Sequence, residues 1–476
     1  MKPFYITTAI PYVNARPHVG HALEFVQADV IKRYHTLLGQ NTILLSGGDE
    51  NALKNVQAAE KEGKTIQSFV DENSQLFKDL AQNLNIKFDV FQKGSAPLHH
   101  VSSQELWKKC QEKGDIYKKT YSGLYCIGCE TFYEKDELNV DGECFEHPGK
   151  KLDEVSEENY FFSLTKYQNQ IEDIINSNQI EIIPESRKNE VLGFLRQGLK
   201  DISISRTNER AKNWGVPVPG DNSQRMYVWF DALNIYRSGV ENTDAWPADI
   251  HVIGKGIIKF HAIYWPAFLL SAGYELPKKI FVHGYFTVDG QKMSKTLGNV
   301  IDPNDLIQKY GTDALRYYLL SQIPSTDDGD FSEEKLKNLY NADLVNGLGN
   351  LVSRVAKLCE NNKMGQLSRR EENNNLLEDV KFELSNFNFI KAVSLIWGSI
   401  RALDKYINEE RPWQQELSDA NKTLSNLVVG TTGFNSILDI AESIEPFLPE
   451  TSKTISKIFN APKISAVKDP LFPRIQ

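Results

Sequence analysis

Pro11-Tyr-Val-Asn-Ala-Arg-Pro-His-Val-Gly-His21 is the stretch on which the fold turns. Before it, Phe4-Tyr-Ile-Thr-Thr-Ala-Ile10 is short, rich in β-branched and aromatic residues and stopped by Pro11, which predicts a strand. After it, Val19, Leu23, Val26, Val30, Tyr34 and Leu37 recur at steps of three and four and Gly39 follows, which predicts a helix from Gly20 to Leu38. His18 and His21 therefore fall at a strand-to-helix turn. Free N–H groups and the positive end of the helix dipole make that place attractive to phosphate. Gly20 lets a ligand approach the backbone closely. Taken alone, the pair reads more simply as one buried histidine and one capping histidine.

Asn41-Thr-Ile-Leu-Leu-Ser46 is a second apolar strand, ending in Gly47-Gly48-Asp49-Glu50. Strand, helix, strand is a βαβ unit and implies a parallel sheet. Ligands bind such sheets at the carboxyl ends of strands, where His18 and Asp49 fall. Asp49 reads equally well as the N-cap of a helix beginning near Ala52. Helical patterns follow from Ile66 to Leu84 and from Val101 to Lys113. Far down the chain, Gly290-Gln-Lys-Met-Ser-Lys-Thr296 places two lysines around a serine on a glycine-started loop. That composition suits a mobile clamp over the phosphates of a leaving pyrophosphate.

The chain has 476 residues, room for two to four domains. Its composition, 41% hydrophobic and 25% charged, is that of a soluble globular protein, and no apolar run is long enough to span a membrane. The first strand begins directly after Met1-Lys2-Pro3, which leaves no room for a targeting segment; a cytoplasmic location is expected. A net charge of −9 argues against sequence-blind polyanion binding but is compatible with a specific RNA partner. Five cysteines, an odd number, argue against a disulfide scaffold. Cys110 and Cys359 stand alone and read as small buried hydrophobes.

The other three are clustered as Cys126-x2-Cys129-x14-Cys144-x2-His147. Two ligand pairs on tight turns, separated by a hairpin-length stretch, suit a closed, structural Cys3His zinc site. Redox use of Cys126 and Cys129 is the alternative, but it leaves Cys144 and His147 unexplained.

Pro184 to Gly220 reads as irregular with short strands. Arg225-Met-Tyr-Val-Trp-Phe230, Ile250-His-Val-Ile253 and Ile280-Phe-Val-His-Gly-Tyr-Phe286 read as strands, and Ile257 to Ala272 as a helix. From about 330 the pattern is helical throughout, with Leu344 to Cys359, Phe387 to Tyr406 and Leu424 to Ile444 as helices and Arg369 to Asn375 as a polar loop. The expected organisation is an α/β domain in two halves, 1–114 and 225–284, around an insertion at 115–224 whose zinc knuckle spans about 121–150. A segment at 285–329 carries the lysine loop and leads to a helical bundle at 330–476.

His18-Val-Gly-His21 resembles the HIGH signature of class I aminoacyl-tRNA synthetases, and Lys292-Met-Ser-Lys-Thr296 resembles their KMSKS loop, with Thr for the last Ser. The two together, in this order, are far more specific than either. The resemblance narrows to the methionyl-tRNA synthetase family and covers almost the whole chain. Ile10-Pro-Tyr-Val-Asn14 is similar to that family's opening, Tyr227-Val-Trp-Phe-Asp-Ala-Leu-Asn-Ile-Tyr236 to its substrate-pocket stretch, and the Cys3His spacing to its one-knuckle zinc insertion. The insertion is too short for the editing domain of the leucyl, isoleucyl and valyl enzymes.

The resemblance implies a Rossmann-like parallel-sheet catalytic domain split by a zinc-binding insertion, then an all-α anticodon-binding bundle. It implies a methionine site of Ile10, Tyr12, Asp49, Trp229, Ala232, Leu233, Tyr236 and His261. Aromatic edges suit a polarizable thioether, and Asp49 suits the α-ammonium. Without the signatures, the aromatic set would read as ordinary core. His18, Gly20, His21, Lys292, Ser294 and Lys295 would bind ATP, with the two histidines and two lysines stabilising charge during reaction. Asn350, Arg354 and Trp413 resemble anticodon-reading positions, with a surface arginine and a helix-end tryptophan as the plainer reading.

The implied reaction activates methionine with ATP to methionyl-adenylate and transfers it to the 3′-terminal adenosine of tRNA(Met), initiator tRNA included. Structural Zn2+ and Mg2+ bound with ATP are the expected cofactors. A monomer is expected, because Gln476 ends the chain without an appended module, and no membrane partner is expected. The other readings are a different class I synthetase, a non-catalytic tRNA-binding paralogue, and a simple nucleotidyltransferase. Two departures from the family stand out: Asn51-Ala52 in place of His-Gly after Asp49-Glu50, and Gly256 in place of Asp after Gly254-Lys255. The second would remove a polar contact to ATP or its ribose.

Overall fold

The computed structural model describes residues 2–126, 131–133, 138–145, 149–293, 298–368, 374–430 and 435–475. The chain folds as two compact units. The first comprises Met1–Pro17, Gly39–Ala81 and Lys87–His283, the second His18–Leu38, Gln82–Ile86 and Gly284–Gln476.

A six-stranded sheet forms the first unit's centre. Its strands, numbered in chain order, are β1 Phe4–Thr8, β2 Thr42–Gly48, β3 Val90–Lys93, β4 Glu181–Ile183, β5 Ile250–Gly254 and β6 Lys279–His283. They lie in the order β3-β2-β1-β5-β6-β4, every pair parallel. Burial of the central strands explains why β1, β2 and β5 read as apolar runs without alternation. At the carboxyl ends of β1 and β2 the chain stays paired a little further: Asp49 N–H donates to Pro11 O at 2.9 Å and Tyr12 bridges Asp49. Gly47 is required there, since a Cβ on it would lie 2.2 Å from Gln92 O of β3.

The insertion is built on a long antiparallel pair, Ile116–Cys126 with Asp153–Phe162, in register from Ile116 opposite Phe162 to Tyr125 opposite Asp153. Thr131–Tyr133 and Ile202–Ser203 flank it. The irregular segment from Pro184 holds a helix that its sequence did not announce, Glu185–Arg196, in which only Val191 and Leu195 are buried. The strand expected at Arg225–Phe230 ends at Met226, and Val228–Ala232 is a short helix instead. An apolar run buried on all sides has no period to tell strand from helix. The helix expected over Ile257–Ala272 contains a π-helical turn, Phe260–Tyr264, before the α-helix Trp265–Ala272. Pro266 has no N–H for the i−4 carbonyl, which opens the turn.

In the second unit, helix α1 (Val19–Leu37) packs against the helices Thr312–Ser321 and Asn375–Ser385. A three-stranded sheet pairs Phe286–Val288 with Gln291–Lys292 antiparallel and with Gly329–Phe331 parallel. The strand expected to run from Ile280 to Phe286 is thus two strands, parted after His283. Helices dominate from Glu333 onward. Leu424–Ile444 is two helices rather than one: Leu417–Val429 ends at Gly430 (φ 85°), and Ile437–Ser443 starts from a Ser436–Asp439 capping box. Leu344–Cys359 is divided likewise, into a π-helical stretch, Tyr340–Gly349, and the α-helix Asn350–Asn361. Most of the polar run at 369–375 lies outside the described residues. Among the described residues no helix is long and apolar enough to cross a membrane.

Candidate active site

His18 is the N-cap of α1, in extended conformation. Its Nδ1 accepts from Gly20 N–H at 3.1 Å, and His21 Nδ1 accepts from His18 N–H at 3.1 Å. The two histidines thus form a reciprocal capping box, with ring centroids 4.0 Å apart. An Nδ1 that accepts carries no proton, so each neutral ring keeps its proton on Nε2. Burial pushes the His18 pKa down to about 4, which keeps that ring neutral. The turn therefore places two Nε2–H groups at a helix N-terminus whose first N–H groups are already taken, Val19 by Ile301 O, Gly20 by His18 Nδ1 and His21 by His18 O.

The lysine loop reaches the same turn. Val19 N–H donates to Ile301 O at 3.1 Å, and a Cβ on Gly20 would lie 3.0 Å from His18 Cε1 and 3.5 Å from Met293 Cε. A Cβ at position 20 would crowd the His18 ring and meet Met293 at ordinary contact distance. The loop's base is fixed by Asp330, whose carboxylate accepts from Thr287 Oγ1 and from Gly290 N–H, each at 2.7 Å. Lys292 continues the strand, paired with Thr287, while Ser294 and Lys295 lie outside the described residues.

The residues expected to hold methionine all lie in the first unit. The short helix Val228–Ala232 and its continuation bury Trp229, Ala232, Leu233 and Tyr236. Tyr12 meets Trp229 edge-on at 6.4 Å, and Trp229 stacks on Phe260 at 3.7 Å with the planes 3° apart. Lys54 Nζ covers the Tyr12 ring. His261, on the π-helical turn, bonds Ile257 O through Nδ1 at 2.9 Å and Tyr236 Oη through Nε2 at 2.8 Å. The carbonyl can only accept, so Nδ1 carries the proton and the Tyr236 hydroxyl donates to Nε2. Burial lowers the His261 pKa to about 4 and holds that of its neighbour His251 well below the usual value too, so both rings are uncharged. Ile10 is half-buried against the same core. The result is an aromatic-edged lining with two uncharged imidazoles and, over the Tyr12 ring, the Lys54 amino group.

Asp49 is buried, and it does not cap the helix that follows: that helix, Leu53–Lys61, has Ala52 at its N-cap. Asn51 Nδ2 donates to Asp231 Oδ2 at 2.6 Å and to Gly94 O at 2.8 Å, a local structural use for the residue that departs from the family. Gly256 lies in the 3-10 turn Lys255–Ile257 after β5.

Cys126 and Cys144 are buried, with their sulfurs 3.4 Å apart, while Cys129 and His147 lie outside the described residues. The separation is too long for a disulfide and near the roughly 3.8 Å edge of a tetrahedral zinc–thiolate site. Those two thiols therefore suit one shared cation. Cys110 and Cys359 are wholly buried, their thiols pushed up to about 12. In the second unit, Arg354 lies one helical turn after Asn350, with its guanidinium 4.7 Å from the ring centre of Trp413. Trp413 is 47% exposed.

Two features escaped the sequence. Phe260 read as one more aromatic in an apolar helix. The buried cluster of Asp231, His99 and Ser103 joins positions more than a hundred residues apart, beyond the reach of any spacing rule.

Histidine donors capping a helix, with the Met293 loop against them, and a parallel α/β sheet elsewhere in the chain are features of class I aminoacyl-tRNA synthetases. The family described as tRNA synthetases class I (M) matches residues 4–356. Methionine–tRNA ligase of Brucella melitensis is 38% identical over 97% of this chain and 92% of its own. That of Nostoc is 39% identical over 95% and 89%, and that of Thermotoga maritima 40% over 95% and 74%. The solved methionyl-tRNA synthetase of Mycobacterium tuberculosis in complex with methionyl-adenylate superposes with a TM-score of 0.91 at 36% identity, covering 100% of both chains. The chain belongs to the methionyl-tRNA synthetase family and is an aminoacyl-tRNA ligase.

Proposed function

We propose that the residues described above carry out the two steps of methionine–tRNA ligation. In the first, a methionine carboxylate oxygen attacks the α-phosphorus of ATP, the bond to the bridging oxygen breaks, and pyrophosphate leaves. The carboxylate is already ionised, so no general base is needed. Catalysis is then positioning and charge stabilisation. His18 and His21 donate Nε2–H bonds to phosphate oxygens, Gly20 admits the phosphates to the backbone, and Lys292, Ser294 and Lys295 follow the charge growing on pyrophosphate. Asp49 holds the α-ammonium, while Ile10, Tyr12, Trp229, Ala232, Leu233, Tyr236 and His261 line the thioether. In the second step a ribose hydroxyl of the terminal adenosine attacks the methionyl carbonyl and AMP leaves.

One observation carries the methionine assignment: His261 is held neutral, with Nε2 engaged by Tyr236 Oη, beside the stacked Trp229 and Phe260. A lining of aromatic edges with a neutral imidazole among them suits a polarizable, unbranched thioether. Mg2+ entering with ATP supplies further charge neutralisation. Cys126, Cys129, Cys144 and His147 hold a structural Zn2+ that takes no part in either step. Asn350, Arg354 and Trp413 read the anticodon of tRNA(Met), initiator tRNA included, and the enzyme works as a cytoplasmic monomer.

The test is ATP–pyrophosphate exchange with methionine, leucine, isoleucine, valine and cysteine, without tRNA. Exchange with methionine alone is expected. Exchange with another amino acid would overturn the pocket assignment but not the class. No exchange with any would leave a tRNA-binding protein, with Gly256 the first position to restore to Asp.

A further inference from the structure

The segment that carries Trp229, Ala232, Leu233 and Tyr236 also carries an acidic residue that faces none of them. Asp231 is 2% exposed, and its carboxylate is fully engaged. Oδ2 accepts from Asn51 Nδ2 at 2.6 Å; Oδ1 accepts from His99 Nε2 at 2.6 Å and from Ser103 Oγ at 3.0 Å. His99 reaches on through Nδ1 to Ser238 Oγ at 2.7 Å, so one imidazole spans both ends of the pocket segment. His99 and Ser103 both belong to the helix Pro97–Glu112, a rigid support. Asn51 follows Asp49 by two residues and is also pinned to Gly94 O at 2.8 Å. All of these residues lie in the first unit.

A lone buried carboxylate is costly unless it is fully hydrogen-bonded, and apolar replacements are often as stable. Fold stability alone therefore gives little reason for a charge at this position. What the carboxylate does geometrically is join two pieces of the amino-acid site that are far apart in sequence: the loop bearing Asp49 and the helix bearing Trp229. Methionine must fit between an ammonium anchor on one and a thioether wall on the other, so that separation sets which side-chain length is accepted.

We propose that Asp231 is a positioning residue for methionine recognition, its carboxylate fixing through Asn51 the spacing between the Asp49 loop and the Trp229 helix. The proposal rests on the methionine-site assignment above. Asp231→Asn keeps the shape but presents an N–H where Asn51 or His99 needs an acceptor. In pyrophosphate exchange it is expected to raise KM for methionine about tenfold or more, the scale on which small misplacements act, with kcat and KM for ATP within threefold. Discrimination between methionine and its S-ethyl homologue ethionine should narrow in parallel, a change that lowered stability alone would not produce. Asn51→Ala removes the link toward Asp49 together with the bond to Gly94 O, leaves the His99 and Ser103 bonds to Asp231 in place, and should reproduce the KM rise with a smaller loss of Tm; if Asp231→Asn does not fold, this variant decides alone. A folded variant with KM for methionine and ethionine discrimination within twofold of wild type overturns the proposal. Trp229→Ala is the control for the assignment beneath it: an unchanged KM for methionine there would remove the pocket itself, not only the role of Asp231.

Discussion

Arg316 Nη2 lies 2.7 Å from Asp29 Oδ2, with the arginine side chain fully buried and the carboxylate 3% exposed. The guanidinium spends its other donors on main-chain carbonyls: Nε on Phe447 O at 2.8 Å, Nη2 also on Pro446 O at 2.9 Å, and Nη1 on Leu84 O at 3.1 Å. Asp29 also pairs with Arg33 Nε at 2.7 Å, and Arg33 reaches Glu445 Oε1 at 2.8 Å. Helix α1, whose first turn bears His18 and His21, is therefore tied within the second unit to the turn that precedes the helix Pro449–Phe459. Arg316→Met should cost about 3–5 kcal/mol, because it leaves three carbonyls and a half-paired carboxylate in a dry interior. Arg316→Lys keeps a point charge but not the fork and should cost less. Urea unfolding followed at the second unit measures both, and an unchanged midpoint for Arg316→Met would remove the bridge as a source of stability.

His261 sets a pH dependence. In the unfolded chain it takes up a proton near pH 6.5, in the folded chain only near 4. Between those values the unfolded chain binds more protons, so stability from keeping the ring neutral is fully present above pH 6.5 and is lost as pH falls toward 4. Over that window the loss is about 3 kcal/mol for this group. His18 and His251 are displaced in the same direction. Tm should therefore fall steeply between pH 6.5 and 4 and stay level from 6.5 to 8 as far as these groups are concerned. A Tm that is flat down to pH 4.5 would mean that the rings are charged in the folded protein.

The turn at His18 was legible because its constraints are local. Pro11 stops a strand, the histidines cap their own helix, and Gly39 follows its end, so the expected helix Gly20–Leu38 is observed as Val19–Leu37. Where structure depends on distant partners the sequence is mute. Tyr227–Phe230 has the composition of a strand, but the chain enters the helical turn Val228–Ala232 there, with Asp231 bonded to Asn51, His99 and Ser103 from distant parts of the sequence. Phe260 lies against Trp229 because a π-helical turn rotates it there, and no periodicity encodes that turn. The break at Gly430 was readable in principle; the apolar spacing on either side masked it.

Zinc should be measurable directly. If Cys126 and Cys144 share a cation with Cys129 and His147, the purified chain should hold one zinc by elemental analysis, and Cys126→Ser should lose it. A metal bound there would organise a segment with little core of its own, so the variant should expose the stretch at 121–150 to proteolysis. Pyrophosphate exchange should fall less than zinc content, since no step uses the metal. A full complement of zinc in both Cys126→Ser and Cys144→Ser would rule out the ligand set.

Trp413 gives the sharpest test of RNA recognition. It is half exposed at the 3-10 turn Pro412–Gln414, after Arg411 in a left-handed conformation (φ 48°), and the Arg354 guanidinium lies over its ring. Arg354 is otherwise paired only loosely, 3.8 Å from Asp404, which leaves its donors available to a base edge. An unpaired base stacking on the indole would be worth about 1–3 kcal/mol. Trp413→Ala should therefore lower kcat/KM for tRNA(Met) about five- to a hundredfold and leave pyrophosphate exchange unchanged, because exchange needs no tRNA. It should also compress the difference between tRNA(Met) and a transcript with an altered anticodon. If Trp413→Ala charges the two with the wild-type ratio, the tryptophan packs a helix end and reads no base.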